Sequence, residues 1–483
     1  MDSTSKSYKR ILSSSFITGG SSVINILIGI FRTKVIAVLL GPVGIGLIGI
    51  YQSFITTCAT MGGLGVATAA SRQIAEKNGS GNHKSLVITV QALFLGTGIL
   101  SLSGGILVWL FQEPLSVYIL GNKTLSVVVG WLAIAVVLSI VSASLMAIIQ
   151  GMRQIRDLAK LVIISALLGT AVGLVAIWRF DQNGLLACVV LMPAANVCVG
   201  LYYVRKTLSF PNFRLDIGAT ATSLSIMAKL GISLFAYTLL EQLTFLLVRV
   251  KIGQSLGAEA LGYYQASWTI AVTYLGVVTG AMSSDFMPRI AEKTGDNIAI
   301  NEIVNHQAEI ALLIAAPVII LMIGFSPLIL SIMYSSIFSE SSSLFRLLLL
   351  SDIIKLVNWP IGFALLGMGD SAAFIRQGPV LLLIFFLIFY LLLPYTGELS
   401  VGIAAFSMQA ISFIWVYKYI NLKMGFCFNK KNKTLFIVFG LLIIATYLLC
   451  FYDDFLGRIV ATFIASILAI FSFIDIRQAI LKK

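Results

Sequence analysis

The chain has 483 residues, of which 58% are apolar and 11% are charged, and its formal net charge is +13. A soluble protein carries about 25% charged residues, so this composition excludes a soluble globular protein as well as the collagen-like, disordered and small disulfide-rich classes. Apolar segments recur along the whole chain, which predicts an all-α polytopic membrane protein.

About fourteen of these segments meet the requirement of roughly 20 apolar residues for a membrane-spanning helix. The first follows a polar, basic N-terminus and lacks a small-residue cleavage site, so we expect a retained span rather than a signal peptide. No connection is long enough to house a soluble domain. The predicted spans are residues 11–39, 47–70, 86–111, 125–149, 158–178, 184–204, 223–249, 260–283, 307–333, 343–366, 372–393, 399–420, 434–451 and 457–475.

Charge is distributed unevenly over the connections. Those that follow odd-numbered spans carry few basic residues, whereas those that follow even-numbered spans are basic, as are both termini. Because cytoplasmic loops are rich in Lys and Arg, both termini and the even connections are predicted to be cytoplasmic. No basic segment with interleaved aromatic residues points to nucleic acid. The basic residues of the cytoplasmic side are Lys6, Lys9, Arg10, Arg72, Lys77, Lys84, Arg153, Arg156, Lys160, Arg205, Lys206, Arg214, Arg289, Lys293, Lys418, Lys423, Lys430, Lys431, Lys433, Arg477, Lys482 and Lys483.

A short repeat relates the two halves of the chain. Ile74–Gly79 reads IAEKNG, and Ile290–Gly295, 216 residues later, reads IAEKTG. Six spans per half is an even number, so both halves enter the membrane in the same direction, and transporters place their substrate site at such a repeat interface. Further pairs at the same offset are Gly41 and Gly257, Gly46 and Gly262, and Gly151 and Gly367. The predicted domains are a six-helix bundle at residues 1–215, a parallel six-helix bundle at 216–430, and two additional spans in 431–483.

Four cations lie near the outer ends of the first and seventh spans, at equivalent positions of the repeat: Arg32, Lys34, Arg249 and Lys251. Snorkelling to lipid headgroups is one interpretation. The alternative is a functional site, which is the usual role of intramembrane charge, and the ligand would be an anion. Residues two apart on a helix point about 200° apart, so at most one of each pair can face a common cavity.

Three more charged residues lie within predicted spans. Asp352 and Lys355 are three residues apart on one helix face, so they form either a self-neutralising pair or a pair in which an anionic substrate competes for Lys355. Glu241 either pairs with Arg249 or carries a coupling proton, since burial would raise its pKa. Glu241 and Asp352 are therefore candidates for coupling or gating, and Lys355 is a candidate for the anion site.

Other motifs indicate structure rather than chemistry. Gly169 with Gly173, and Gly276 with Gly280, have the spacing of close helix packing. The glycines from Gly41 to Gly46 are read as a turn, because no strand-and-helix context supports a phosphate loop. The five cysteines and two histidines form no CxxC motif or cluster, so neither a metal site nor a disulfide framework is expected. Without a GxxxxGK[ST] motif the chain encodes no ATP-driven pump.

The chain resembles the polysaccharide-exporter branch of the multidrug/oligosaccharidyl-lipid/polysaccharide (MOP) exporter superfamily, and most closely the Wzx-type O-antigen and enterobacterial common antigen flippases. The resemblance covers residues from about 10 to 420 as an ordered set of motifs. These motifs are Lys34 followed by AVLLGPVGIGL, QGMRQIRDLAK from Gln150 to Lys160, Lys229 and Arg249 around the seventh span, and SDIIK from Ser351 to Lys355.

The resemblance implies two six-helix bundles in a V shape with a cationic central cavity. It also implies the substrate, an oligosaccharide repeat unit on undecaprenyl pyrophosphate, which is flipped from the cytoplasmic to the periplasmic leaflet of the bacterial inner membrane. The two additional spans would border a groove for the lipid tail. No cofactor is expected, and an ion gradient or the membrane potential would drive transport. A monomer that works with a polysaccharide polymerase and chain-length proteins is the expected assembly.

Two other functions remain open at this point. A drug or organic-cation extruder of the same fold should have acidic residues in its cavity, whereas embedded cations outnumber anions here. A non-transport protein, such as an assembly scaffold or a membrane polymerase, is the third hypothesis. A polymerase should have a large extracytoplasmic loop, and the chain has none.

Overall fold

A computed structural model of the chain describes residues 2–208, 217–293, 295–368 and 370–481. Arg214, Lys482, Lys483 and the predicted domain boundary at 215/216 lie outside these residues, as do the side chains of Lys6, Lys9 and Arg10. Over the described ranges the chain is helical and has no strand. The helices are α1 (Asp2–Gly63), α2 (Val66–Gly79), α3 (His83–Leu110), α4 (Gln112–Leu120), α5 (Ser126–Gly151), α6 (Ile155–Thr207), α7 (Ile217–Glu292), α8 (Asn297–Gly324), α9 (Ser326–Met333), α10 (Ser342–Gly367), α11 (Ser371–Thr396), α12 (Leu399–Met424), α13 (Lys430–Tyr452) and α14 (Asp454–Leu481), with short 3-10 turns at Lys123–Leu125 and Ser336–Ser341.

Ten of the described helices are long and apolar enough to cross a membrane, or eleven if the two bent parts of α7 count as one span. This confirms the predicted multi-pass all-α protein. Three of the long helices contain a break, at Gly41, Asp181 and Gly257. Each break falls between two predicted spans. Dividing the three helices at their breaks would give fourteen spans, so the exact number of membrane spans stays a prediction.

Glycine permits two of these breaks. Gly41 has φ 63° and Gly257 has φ 92°, a region that glycine enters without steric penalty. The two residues are separated by the offset of the sequence repeat, so both halves change direction at the same place. Asp181 breaks α6 with φ 49°, which is uncommon for a residue with a side chain.

The chain folds into two compact units, unit 1 at Met1–Gly262 and unit 2 at Tyr263–Lys483. This division assigns the first part of α7 to unit 1 and the second part to unit 2. The predicted repeat boundaries at 215/216 and 430/431 concern sequence symmetry and stay a prediction.

In unit 1, helices α2, α3, α5 and α6 enclose a core in which Ile74, Val90, Leu93 and Ile148 are fully buried. Ile74 belongs to the IAEKNG motif and packs on Gly151, where a Cβ would lie 2.7 Å from that of Ile74. The motif therefore contributes to the core through its isoleucine, while its Glu76 and Lys77 pair with each other at the surface, 3.3 Å apart.

Unit 2 has an equivalent core around Phe286, Ile290, Ile300 and Ile361. Ile290 opens the second copy of the motif and is as buried as Ile74. The additional helices α13 and α14 pack on α8 in this unit. A Cβ on Gly324 of α8 would overlap the Cβ of Ala461 on α14, so the two backbones approach closely there.

The two glycine pairs predicted to mediate close packing behave differently. A Cβ on Gly173 would lie 2.6 Å from the Cys188 sulfur, and Gly169 is close to Met192, so this pair packs the two parts of α6 together as predicted. A Cβ on Gly276 or Gly280 would meet no atom within 4 Å. For this second pair the structure does not show the predicted close packing at the added Cβ positions of the two described glycines.

Candidate functional site

The two repeated cation pairs lie at the same end of unit 1. The turn after Gly41 packs on the turn after Gly257, since a Cβ on Gly46 would lie 2.9 Å from the Gly262 backbone nitrogen. Arg32 precedes Gly41 by nine residues, and Arg249 precedes Gly257 by eight. At a rise of about 1.5 Å per residue, each arginine is within about 14 Å of its turn along its own helix.

Arg249 is the more buried of the two arginines, with 8% of its surface exposed. Its Nη1 donates a hydrogen bond to the carbonyl oxygen of Phe245, one turn earlier on α7, at 3.0 Å. This bond holds the guanidinium along its own helix. A permanently charged group in an apolar span requires compensating charge or hydrogen-bond acceptors, and the Phe245 carbonyl oxygen is one such acceptor. The anion-binding role of Arg249 stays a prediction.

Arg32 extends from α1 towards the second part of α6. Its Nη1 lies 3.0 Å from the sulfur of Met192, a weak acceptor, and its Nε is buried without a hydrogen-bond partner. Cys188 is a neighbour as well. Arg32 thus has unused donor capacity inside unit 1.

The other unit 1 candidates are less buried. Lys34 and Lys251 are half-buried on the same helices as the arginines, and Glu241 is half-buried two turns before Arg249. The predicted roles of these three residues stay predictions. The structure places them on α1 and α7, the helices on which the arginines lie.

Asp352 and Lys355 lie on α10 in unit 2. Asp352 is 6% exposed, and its Oδ2 has no hydrogen-bond partner, whereas Lys355 is half-buried. In the described ranges no ion pair within 4 Å joins the two. Tyr274 is the neighbour on which the charge of Asp352 acts. The spacing predicted a shared face correctly, but the structure shows no contact that neutralises Lys355.

Arg346 is an embedded cation that the sequence reasoning missed. It lies on α10, is 5% exposed, and donates hydrogen bonds to the carbonyl oxygens of Ile323 and Cys450, the Ser326 hydroxyl and the Asp454 carboxylate. An arginine within the apolar run SSSLFRLLLL was the available signal. Because each of its three guanidinium nitrogens donates to a protein acceptor, Arg346 joins α10 to α8, α9, α13 and α14, which is a structural role.

A second polar link joins the additional helices to α8. Lys431 of α13 donates to Glu309 at 2.7 Å and to Asp475 of α14 at 2.6 Å. Beside it, the Asn432 amide donates to the carbonyl oxygen of Asn305 at 2.8 Å. The sequence alone assigned Lys431 to topology, and the structure adds this bridging role.

The family model for "Polysaccharide biosynthesis protein" matches residues 35–343. The chain belongs to this family. It is 20% identical over 405 residues to the lipid III flippases of Escherichia coli (strain K12) and Shigella flexneri, an alignment that covers 82% of this chain and 94% of each relative.

Solved structures show the same fold. The lipid II flippase MurJ in an inward closed conformation superposes with a TM-score of 0.73 at 12% identity, covering 96% of this chain and 99% of that one. An inward-facing multidrug resistance MATE family transporter of the MOP superfamily superposes with a TM-score of 0.67 at 14% identity. That alignment covers 82% of this chain and 95% of the transporter. The chain therefore has the fold of these transporters, and the family match confirms its resemblance to a polysaccharide family.

Proposed function

We propose that the protein flips undecaprenyl-pyrophosphate-linked oligosaccharide repeat units, of O-antigen or a related surface polysaccharide, from the cytoplasmic to the periplasmic leaflet by alternating access. The observation that carries the proposal is the family match over residues 35–343. The flippases of lipid III and lipid II among its relatives add support, since their names give lipid-linked substrates.

The embedded cations of unit 1 suit such a substrate. Unpaired charge in an apolar interior costs several kcal/mol or more, so a pyrophosphate that crosses a bilayer needs positive partners. Arg249 is buried on α7 and Arg32 is half-buried on α1, and a guanidinium can bind phosphate oxygens in a bidentate manner. With Lys34, Lys251 and, in unit 2, Lys355, they form the proposed anion-binding set.

The proposed setting is the bacterial inner membrane, with both termini in the cytoplasm. The charge bias of the loops supports this orientation. A monomer driven by an ion gradient or the membrane potential, delivering its product to a polysaccharide polymerase and chain-length proteins, completes the proposal. Glu241 and Asp352 are the proposed coupling or gating residues.

The test is a flipping assay with the purified protein in proteoliposomes. A fluorescent undecaprenyl-pyrophosphate oligosaccharide is incorporated, and a membrane-impermeant quencher reports the fraction in the outer leaflet over time. We expect movement of this lipid, and slower movement of the matching monophosphate, because one phosphate engages fewer cations. Equal rates in protein-containing and empty liposomes would contradict the proposal.

A drug or organic-cation extruder is the second candidate, favoured by the structural match to a MATE transporter. The same proteoliposomes discriminate the two. Efflux of a fluorescent organic cation without movement of the oligosaccharide lipid would establish this alternative. The embedded arginines of unit 1 argue against it, since they would repel a cation.

A further inference from the structure

Unit 1 contains a cavity of about 390 Å³ whose walls come from five helices: the second part of α1, the start of α2, α3, α5 and the first part of α7. Seven of its 17 lining residues are serine or threonine, and the others are apolar or glycine, so none of these described residues is charged. We call it the hydroxyl cavity, after Thr56, Thr97, Ser139, Ser144 and Thr238 in its wall. Its volume lies at the small end of the range of about 300–1,000 Å³ for ligand pockets.

The hydroxyl groups of this cavity are hydrogen-bond acceptors for a ligand. Thr56 Oγ1 and Ser139 Oγ each donate their hydrogen to a carbonyl oxygen of their own helix at 2.7 Å. Thr97 Oγ1 donates to Ser144 Oγ at 2.7 Å, and Ser144 Oγ donates to the carbonyl oxygen four residues earlier at 3.1 Å. A hydroxyl has one hydrogen and two acceptor lone pairs, so each of these groups can still accept a hydrogen bond. The cavity therefore suits a ligand that donates several hydrogen bonds.

The predicted second span, residues 47–70, is interrupted at the hydroxyl cavity. Helix α1 ends at Gly63 and α2 begins at Val66, and between them Leu64 and Gly65 have φ 49° and 68°. A Cβ on Gly65 would lie 2.6 Å from the carbonyl oxygen of Gly231, so packing against α7 fixes the interruption. Non-helical backbone at membrane depth occurs where it is buried in protein or lines a cavity, and interrupted spans mark substrate sites in transporters.

The lining chemistry narrows the class of ligand. A phosphate or an organic cation would meet no opposite charge there, and unpaired charge in an apolar interior is costly. A lipid acyl chain has no donors for the lone pairs of the hydroxyl groups. A sugar residue matches the whole lining, since its hydroxyl groups donate to the acceptors while the C–H groups of its ring pack on Ile55, Leu100 and the ring of Phe235.

The hydroxyl cavity and the proposed anion-binding set share helix α7. Thr238 in the cavity wall precedes Arg249 by 11 residues of continuous helix, which corresponds to about 16 Å along the axis. A ligand that reaches both must carry its phosphate and the bound sugar well apart. The cavity therefore fits a sugar residue remote from the pyrophosphate better than the sugar that is directly attached to it.

We propose that the hydroxyl cavity is a sugar subsite, which binds one uncharged sugar residue of the oligosaccharide remote from the pyrophosphate. The inference rests on the proposed function, which supplies a cargo with both groups. It divides recognition of the cargo between two places in unit 1: the cations bind the part that every such lipid carries, and the hydroxyl cavity senses the sugar. No bond is made or broken in this step.

Titration with two separate probes tests the subsite. The first probe is the free oligosaccharide, released by mild acid from the lipid-linked units of the source cells, and the second is inorganic pyrophosphate. Calorimetry of the full-length protein in nanodiscs should show saturable binding of the oligosaccharide. The double variant Thr56→Val, Ser139→Ala should weaken this binding about tenfold, because two acceptors are lost, and should leave pyrophosphate binding unchanged.

Two controls and a second variant support the comparison. Thr222→Val and Ser103→Ala should bind the oligosaccharide as the wild type does, since both hydroxyl groups donate to carbonyl oxygens of their own helices in unit 1 and neither lines the cavity. Ala143 lines the cavity and is exposed, so Ala143→Leu should fill the space and abolish oligosaccharide binding. This variant removes no hydroxyl group, and it decides the question if the double variant does not fold.

The outcomes separate the subsite from the proposed function. Equal oligosaccharide affinities of the wild type and Ala143→Leu, or no saturable binding to the wild type, would overturn the subsite, whether or not the protein flips the intact lipid in proteoliposomes. Oligosaccharide binding that the cavity variants weaken, in a protein that moves no lipid, would contradict the flipping activity and retain the subsite. If both proposals hold, the double variant should raise the lipid concentration for half-maximal flipping, and Ser103→Ala should not.

Discussion

Gly46 and Gly262 pack backbone to backbone in unit 1, and they are equivalent residues of the sequence repeat. A Cβ on Gly46 would lie 2.7 Å from the Ala258 carbonyl oxygen, and a Cβ on Gly262 would overlap the carbonyl oxygen of Pro42. The two glycine turns of the repeat therefore contact each other reciprocally. The contact brings together the end of the first part of α1 and the end of the first part of α7, on which the two cation pairs lie.

Replacing Gly262 with Ala should destabilise the protein, because the methyl group has no room beside Pro42. Overpacking of this kind costs about 1–3 kcal/mol. The measurement is the melting temperature in detergent, and Gly276→Ala is the matched control, since Gly276 is a helical glycine with no atom within 4 Å of an added Cβ. Equal melting temperatures for the two variants would show that the turns do not pack as described.

Removing the charge at Arg249 or Lys34 should abolish export while the protein remains in the membrane. A hydrogen bond to a charged group contributes about 1.5–3 kcal/mol, so Ala variants should lose at least about tenfold in flipping rate. A Lys34→Arg exchange should retain part of the activity, since charge survives while the fork geometry changes, and Glu at either position should be worse than Ala.

The assay is complementation of a flippase-deficient strain, with membrane levels followed by immunoblot. Arg179→Ala and Lys160→Ala are suitable controls, because both side chains are exposed in the same unit. If the Ala and Glu variants at both Arg249 and Lys34 complement fully, the anion site must lie elsewhere.

Asp352 and Lys355 should be only weakly coupled, because their charges act on each other without a direct ion pair. Since no ion pair joins them, a double-mutant cycle of Asp352→Asn and Lys355→Ala in thermal unfolding should give a coupling energy below about 0.5 kcal/mol. Lys355→Ala should reduce flipping, whereas Lys433→Ala, an exposed lysine of the same unit, should not. A large coupling energy would restore the self-neutralising pair as the better interpretation.

The breaks in the long helices were predictable where local chemistry decides them. Gly41 and Gly257 break α1 and α7, and glycine-rich sequence marks both places. The contact of Gly46 with Gly262 was not predictable, because a repeat offset shows equivalence and not proximity. Asp352 and Lys355 share a helix face as their spacing requires, but spacing permits an ion pair without enforcing one.

Contacts between residues far apart in sequence could not be predicted either, because sequence patterns do not show which distant residues are close in space. Arg346 was detectable as an intramembrane cation, but the hydrogen bonds of its three guanidinium nitrogens to four helices depend on packing. An embedded charge in a sequence therefore identifies a candidate, and only its hydrogen bonds distinguish a structural residue from one available to a ligand.

Arg346 should matter more for stability than any exposed ion pair. Its truncation to Ala removes the Arg346 hydrogen bonds to the Cys450 carbonyl oxygen and to Asp454, and a hydrogen bond to a charged group contributes about 1.5–3 kcal/mol. Asp454→Asn should reduce the stability less, because Asp454 is half-exposed. Glu113→Gln should reduce the stability by less than about 1 kcal/mol, because Glu113 and Lys123 form an exposed pair. The measurement is the free energy of unfolding from chemical or thermal denaturation. Equal values for Arg346→Ala and Glu113→Gln would contradict this order.

The additional helices offer a surface for the lipid tail of the substrate. Arg346 and Lys431 anchor α13 and α14 to α8, and the opposite side of α14 exposes Phe463, Ile470 and Phe473 by 62–68%. A photoreactive residue at Phe463 or Ile470 should crosslink a radiolabelled undecaprenyl-pyrophosphate oligosaccharide, because a polyprenyl chain gains about 0.8 kcal/mol for each buried CH₂.

Val175 on α6 is the matched control, being 63% exposed in unit 1. Excess phospholipid should compete at Val175 but not at the α14 positions, and equal labelling at all three would mean that the tail has no preferred groove on these helices.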